Sequence, residues 1–229
     1  MSVRSALGRV RAALHGVTTA GRARLARMFG ARYFTAEYFE KRFEQPDPWG
    51  FEHREYEQRK YAKTLAAIPS ARYGRVLEVA CAEGLLTQSL AERGDVVVGT
   101  DVSDRALTRA RGRLAGRPNV RFERSDVFTD PITEHFDLVV ASEVLCFAES
   151  IPMLDAALER LAGCLEHGGH LVLVHLRIAP EHPGGWPPVD LLFGADVIHR
   201  RAARLPGLAP VSDQWEDRYA VSVFRRVTE

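Results

Sequence analysis

Apolar positions in this chain alternate between two spacings. Short apolar runs at Arg75 to Val79, Val96 to Thr100, Val120 to Glu123, Phe136 to Ala141 and His170 to Leu176 read as strands. The run Phe136 to Ala141 is almost unbroken, as suits a strand buried on both faces. Between these runs the apolar residues recur at helical spacing. Gly84 to Arg93 turns Leu85, Leu86 and Leu90 inward, and Ser103 caps a helix to about Ala115 with Ala106, Leu107, Ala110 and Leu114 as its stripe. Ile151 to Glu166 is a further helix, with Gly168-Gly169 ending it.

Upstream, Thr35 to Phe43 forms a short helix with Tyr38, Phe39 and Phe43 on one face, and the prolines of Gln45 to Gly50 make a loop. A helix over Glu52 to Ile68 stops at Pro69. Downstream, a Pro- and Gly-rich loop from Ala179 to Pro188 leads to a helix over Ala195 to Arg204. Two strands close the chain, Leu208 to Trp215 and Tyr219 to Arg226. The pattern predicts an α/β fold, a doubly wound and mostly parallel seven-stranded sheet whose last strand runs antiparallel, with an N-terminal helical extension. It divides into a helical arm and lid over residues 1–68 and an α/β domain over residues 69–229.

A chain of 229 residues that is 46% hydrophobic supports one domain with a full core. Its net charge of +1 is unevenly spread, with seven arginines and no acid in residues 1 to 36 and a net −6 on the rest. A nucleic-acid enzyme spreads positive charge over its catalytic face, so nucleic acid is not the expected partner. The Arg-rich arm reads as a transit peptide, a membrane-surface helix or a plain helical extension that helps to build a substrate lid. Cys81, Cys146 and Cys164 are odd in number and lack metal-type spacing, which points to a reducing cytoplasm. No apolar run is long enough to span a bilayer, and no metal-ligand set stands out.

Candidate chemistry starts at Ala80-Cys81-Ala82-Glu83-Gly84, between the first strand and its helix. Ala80, Ala82 and Gly84 let a ligand come close to the backbone, and Asp101 at the tip of the second strand can accept hydrogen bonds from ribose hydroxyls. Dinucleotides need G-x-G-x-x-G, so that a pyrophosphate can rest on the helix N-terminus. Here Glu83 occupies that place. A cofactor bearing a sulfonium and an ammonium, and no phosphate, tolerates Glu78 and Glu83; S-adenosylmethionine fits.

Leu77 to Thr87 resembles motif I of class I S-adenosylmethionine-dependent methyltransferases, and Asp101-Val102-Ser103 resembles their motif II. Asp47-Pro48-Trp49, Tyr56 to Tyr61, Ser142 to Leu145 and Gly168 to Arg177 are similar to the nodulation-factor N-methyltransferase (NodS-like) family. The resemblance runs from about Asp47 to Arg177 and departs at Ala80, where that family usually has Gly; binding should survive if the local φ is negative. It implies a Rossmann-like methyltransferase fold over residues 69–229 and transfer of a methyl group to a small-molecule acceptor. N-methylation of an amino sugar or other glycoside is slightly preferred, with O-methylation of a sugar or secondary metabolite, or a degenerate cofactor-binding protein, as the alternatives.

Each candidate residue carries a plainer reading. Asp101 caps a turn or clamps ribose. Asp126 N-caps a helix or, as the resemblance implies, meets the adenine amino group, with Val127 on the ring. Glu78, inside an apolar strand, needs a partner; the resemblance gives it the loop and the methionine ammonium. The resemblance also puts Ala80, Cys81, Ala82, Gly84, Val102, Ser103 and Ser142 at the cofactor. Tyr56, Arg59 and Lys60 share a helical face that is either solvated or meets the methionine carboxylate, with Trp49 in the lid or anchoring its loop. The acceptor should sit beyond the strands ending at Ala141 and Leu176, near Ser142, Glu143, His175 and Arg177. His175 is the expected general base, against a satisfied core histidine, with Glu143 next and His182 and His199 behind them.

Overall fold

A computed structural model describes residues 32–178 and 191–228. The seven strands are β1 (Tyr73–Val79), β2 (Gly94–Asp101), β3 (Val120–Arg124), β4 (Phe136–Ser142), β5 (Leu165–Leu176), β6 (Leu208–Trp215) and β7 (Tyr219–Arg226). They form one sheet in the order β3-β2-β1-β4-β5-β7-β6, parallel except for β7, which runs antiparallel to both of its neighbours. The expected architecture and the expected odd strand are both present.

Six helices flank the sheet among the described residues: α1 (Ala36–Arg42), α2 (Glu55–Ala67), α3 (Leu85–Leu90), α4 (Asp104–Arg113), α5 (Ile151–Gly163) and α6 (Ala195–Ala202). Alternate residues of the central strands enter two cores. Val76, Leu138, Val140 and Val172 pack on one face, and Leu77, Val139, Ala141 and Leu173 on the other. Burial on both faces accounts for the unbroken apolar runs. The strand order reverses between β1 and β4, so their carboxyl ends open a crevice where doubly wound sheets bind ligands.

Boundaries moved where competing interactions were stronger than local pattern. The expected helix to Glu166 ends at Gly163, with Cys164 at its C-cap, and β5 already pairs Leu165 with Phe136. Gly168 and Gly169 therefore lie within β5. A Cβ on Gly169 would meet carbonyl oxygens of Glu166 and Asp137 at 2.9 and 3.0 Å, so the glycine permits a close backbone crossing. Ser103 does cap α4, accepting the Ala106 N–H at 3.2 Å. The readings placed on residues 1–31, and on His182 and its loop, lie outside the described residues.

Candidate active site

The turn after β1 has an unusual backbone. Ala80 and Ala82 adopt φ of 54° and 50°, a left-handed conformation that costs an L-residue roughly 1–2 kcal/mol. The condition of a negative φ at Ala80 is thus not met. Three hydrogen bonds hold the strained turn: Cys81 N–H donates to the Thr100 carbonyl at 2.8 Å, Ala82 N–H to Asp101 Oδ2 at 3.0 Å, and Gly84 N–H to the Cys81 carbonyl at 2.9 Å. Asp101 Oδ1 accepts the Ser103 N–H at 2.9 Å, so one carboxylate joins the ends of β1 and β2. It lines the cavity while only 5% exposed, and burial raises its pKa to about 6 against the backbone donors that lower it. Its turn-capping role and a ribose role are compatible, since two N–H bonds leave lone pairs to spare.

Several expected cofactor residues act behind this wall rather than on it. Gly84 has φ 79°, and a Cβ there would meet Leu114 Cδ1 at 3.0 Å and Ala110 Cβ at 3.1 Å; it seats α3 against α4. Cys81 and Ser103 are buried off the cavity, the latter donating to Glu40 Oε2 at 2.6 Å. Glu78 accepts the Thr87 hydroxyl, and burial raises its pKa to about 8, with nearby Asp101 adding to the shift. Buried and away from the cavity lining, this carboxyl holds the loop through Thr87. Glu83 turns away too, pairing with Arg109 at 2.7 Å and accepting the Asp47 N–H at 3.0 Å. Its charge is therefore spent on a strut rather than turned to the cavity.

Further along the crevice, Val102, Ser125, Asp126, Val127 and Phe128 line the wall beside β2 and β3. Asp126 Oδ1 accepts the Phe128 N–H at 2.9 Å and Oδ2 pairs with Arg32 at 2.7 Å. The roof comes from the N-terminal segment, whose Phe34, Tyr38, Phe39, Phe43 and Trp49 face the cavity. Arginines four residues apart on α4 grip that roof. Arg105 pairs with Glu40 at 2.6 Å, Arg109 donates to the Gln45 carbonyl at 3.4 Å, and Arg113 pairs with Glu52. Sequence reasoning missed this ladder, although Arg105, Arg109 and Arg113 show helical periodicity.

At the β4–β5 end, Glu143 adopts φ 54°, directly after β4. Its N–H donates to the Val174 carbonyl at 2.7 Å, and its Oε2 accepts the Leu176 N–H at 3.0 Å. Lys60 reaches it from α2, with Nζ 2.8 Å from Glu143 Oε1 and 2.7 Å from Glu57 Oε2. Tyr56, Glu57, Lys60, Ser142 and Glu143 all line the cavity. Burial alone would lower the Lys60 pKa, but the two carboxylates reverse this and raise it, so the ammonium stays charged. Burial pushes the Tyr56 hydroxyl to about 12.

Two expected residues are absent from this group. Arg59 points outward, 64% exposed, and pairs with Glu55. His175 is fully buried and does not line the cavity. Its Nε2 accepts the Leu145 N–H at 3.2 Å, its Nδ1 meets His199 at 3.1 Å, and burial lowers its pKa to about 3. The general-base expectation fails on that geometry, and the reading as a satisfied core histidine holds. Arg177 donates to the Glu216 carbonyl and stacks on Trp215, also off the cavity. The cavity measures about 420 Å³, within the range of small-molecule sites. Among the described residues, no three His, Cys, Asp or Glu side chains stand together as a metal site, and no helix is long and apolar enough to cross a membrane.

Comparison with known proteins bears on the family and the fold. The family model described as Nodulation protein S (NodS) matches residues 34–180. A Nodulation protein S from Bradyrhizobium diazoefficiens is 31% identical over 174 residues, 72% of this chain and 82% of its own length. One from Sinorhizobium fredii is 30% identical over 127 residues, 55% of this chain and 59% of its own length. This chain thus spans less than two thirds of the Sinorhizobium relative. The crystal structure of the N-methyltransferase NodS from Bradyrhizobium japonicum in complex with S-adenosyl-L-homocysteine superposes with a TM-score of 0.73 at 25% identity, covering 83% of this chain and 97% of that one. The chain belongs to the Nodulation protein S family.

Proposed function

We propose that this chain transfers a methyl group from S-adenosylmethionine to an amine nitrogen of a small molecule, an amino sugar or related glycoside. Family membership, and a relative solved with S-adenosylhomocysteine, support the cofactor. The choice of nitrogen rests on one observation, the Glu57–Lys60–Glu143 cluster on the cavity wall.

Bound in the crevice, the cofactor supplies an already activated methyl on a sulfonium. Ala80 and Ala82 carry nothing beyond Cβ, so their backbone is open to close approach. Asp101 has acceptor capacity left for ribose hydroxyls, and Asp126 and Val127 line the neighbouring wall for the base. Such a chain contributes chiefly by positioning, which can supply roughly 7–11 kcal/mol of a barrier.

Two carboxylates against one ammonium leave the cluster with surplus negative charge. That wall favours an acceptor arriving as an ammonium, and Glu143 is the group beside it able to take the proton the amine must lose before attack. Lys60 and Tyr56 stay protonated and offer no base. No histidine lines the cavity among the described residues, so an aliphatic hydroxyl is served less well.

Calorimetry with S-adenosylmethionine, followed by a cofactor-consumption screen of amino sugars and phenols read by mass spectrometry, tests the reading. Tight cofactor binding with product only from amines supports it. A folded chain that does not bind the cofactor is a degenerate member of the fold.

A further inference from the structure

We propose that His175, His199, Ser222 and Asp213 form a positioning relay that sets the Glu143 turn from the outer edge of the sheet. This inference rests on the reading of Glu143 as the group at the acceptor.

The relay crosses four elements. The Leu145 N–H lies 3.2 Å from His175 Nε2, His175 Nδ1 lies 3.1 Å from His199 Nε2, and His199 Nδ1 lies 2.6 Å from Ser222 Oγ. Ser222 Oγ in turn bonds Asp213 Oδ1, and Trp215 Nε1–H donates to Asp213 Oδ2 at 2.6 Å. His175, His199 and Ser222 are at most 3% exposed, whereas Asp213 is exposed on β6.

Every donor direction follows from the first link. A backbone N–H can only donate, so His175 Nε2 is an acceptor and its proton sits on Nδ1. That proton goes to His199 Nε2, which puts the second proton on His199 Nδ1, directed at Ser222. Ser222 then donates to the Asp213 carboxylate. All four bonds point one way and end on a full negative charge, and bonds chained in this manner polarise one another. Burial keeps both rings neutral, with the Lys60 ammonium disfavouring a charge on His175; Asp213 and Glu143 act in the opposite sense on His199 without overcoming burial.

The inner end of the relay grips a strained turn. Glu143 has φ 54°, its N–H is held by the Val174 carbonyl, and its Oε2 by the Leu176 N–H. His175, between those two residues, fixes Leu145, two positions beyond Glu143. Residues 174–176 therefore clamp residues 143–145 by three hydrogen bonds, and the relay strengthens the one accepted by the His175 ring.

The test uses the full chain labelled with ¹⁵N and free of cofactor, so its outcome is independent of methyl transfer. Imidazole spectra from about pH 5.5 to 8 should show both rings neutral and protonated only on Nδ1. Asp213→Asn keeps the shape and removes the charge. It should shift the Leu145 amide resonance and speed its exchange with solvent by about tenfold, as should Ser222→Ala, while Asp213→Glu restores the parent values. A proton on either Nε2, a ring titrating near 6.5, or a Leu145 amide unmoved by Asp213→Asn overturns the relay. A relay that passes in a chain unable to methylate amines leaves this inference standing as structure and removes only the functional reading.

Discussion

Lys60 places its ammonium 2.8 Å from the carboxylate of Glu143, 83 residues away in sequence, with 2% of the lysine side chain exposed. The pair ties the helix under the roof to the strained end of β4, and Glu57 completes it from one turn back on α2.

Removing the cation from that cluster leaves two carboxylates facing each other in a buried site. Lys60→Met should cost about 3–5 kcal/mol of folding stability in urea titrations. The double variant Lys60→Met/Glu143→Gln should recover part of that loss. The folded pKa of Lys60 is raised, so its contribution is complete at neutral pH and is lost only as pH climbs through the alkaline range.

Glu78 predicts a slope of the same sign at lower pH. Burial raises its carboxyl pKa to about 8 in the folded chain against an ordinary value of 4.5, so the native state holds a proton the unfolded chain has released. Stability should fall with rising pH between those values by about 1.4 kcal/mol per unit. Asp101, raised to about 6, adds to the decline over the lower part of that window. Glu78→Gln keeps an acceptor for Thr87 and should flatten the curve; chemical denaturation at several pH values checks it.

The left-handed Ala80 makes a signed prediction. Ala80→Gly relieves strain worth roughly 1–2 kcal/mol, partly offset by the entropy of glycine in the unfolded chain. It should be neutral to stabilising and keep cofactor affinity. Ala80→Val places a β-branched residue at φ 54° and should abolish binding. Thermal melts and calorimetry on both variants decide it, and equal affinities would remove the loop from the cofactor site.

The arginine ladder predicts a salt-sensitive roof. Exposed ion pairs are worth under about 1 kcal/mol each, so Arg105→Ala/Arg113→Ala should barely lower stability. Cofactor affinity should fall several-fold, and raising salt should weaken the parent more than the double variant. An unchanged affinity would show that the roof seats itself without these clasps.

Much of this was legible in sequence because period and punctuation are local. Runs such as Phe136 to Ala141, the cap at Ser103 and the small residues after β1 each depend on neighbours a few positions away, and the expectation of a ligand at the β1–β2 end followed from them. His175 shows where such reasoning stops. Placing it at the carboxyl end of β5 was correct, but side chains alternate along a strand, and its face meets His199 on α6 rather than the crevice. The Lys60–Glu143 pair and the Glu40, Glu52 and Glu83 struts join residues far apart in sequence, so no window along the chain contains both partners.

The most direct test of the central claim offers the chain and S-adenosylmethionine matched acceptors that differ only in an amine or a hydroxyl at one carbon, such as glucosamine and glucose. The product is read by mass spectrometry and by the methyl resonance. The account predicts a methyl on nitrogen from the amine, none from its hydroxyl partner, and turnover lowered roughly 10²–10⁴-fold in Glu143→Gln with cofactor affinity retained. Methylation of the hydroxyl at an equal rate, or amine methylation undiminished in Glu143→Gln, would contradict it.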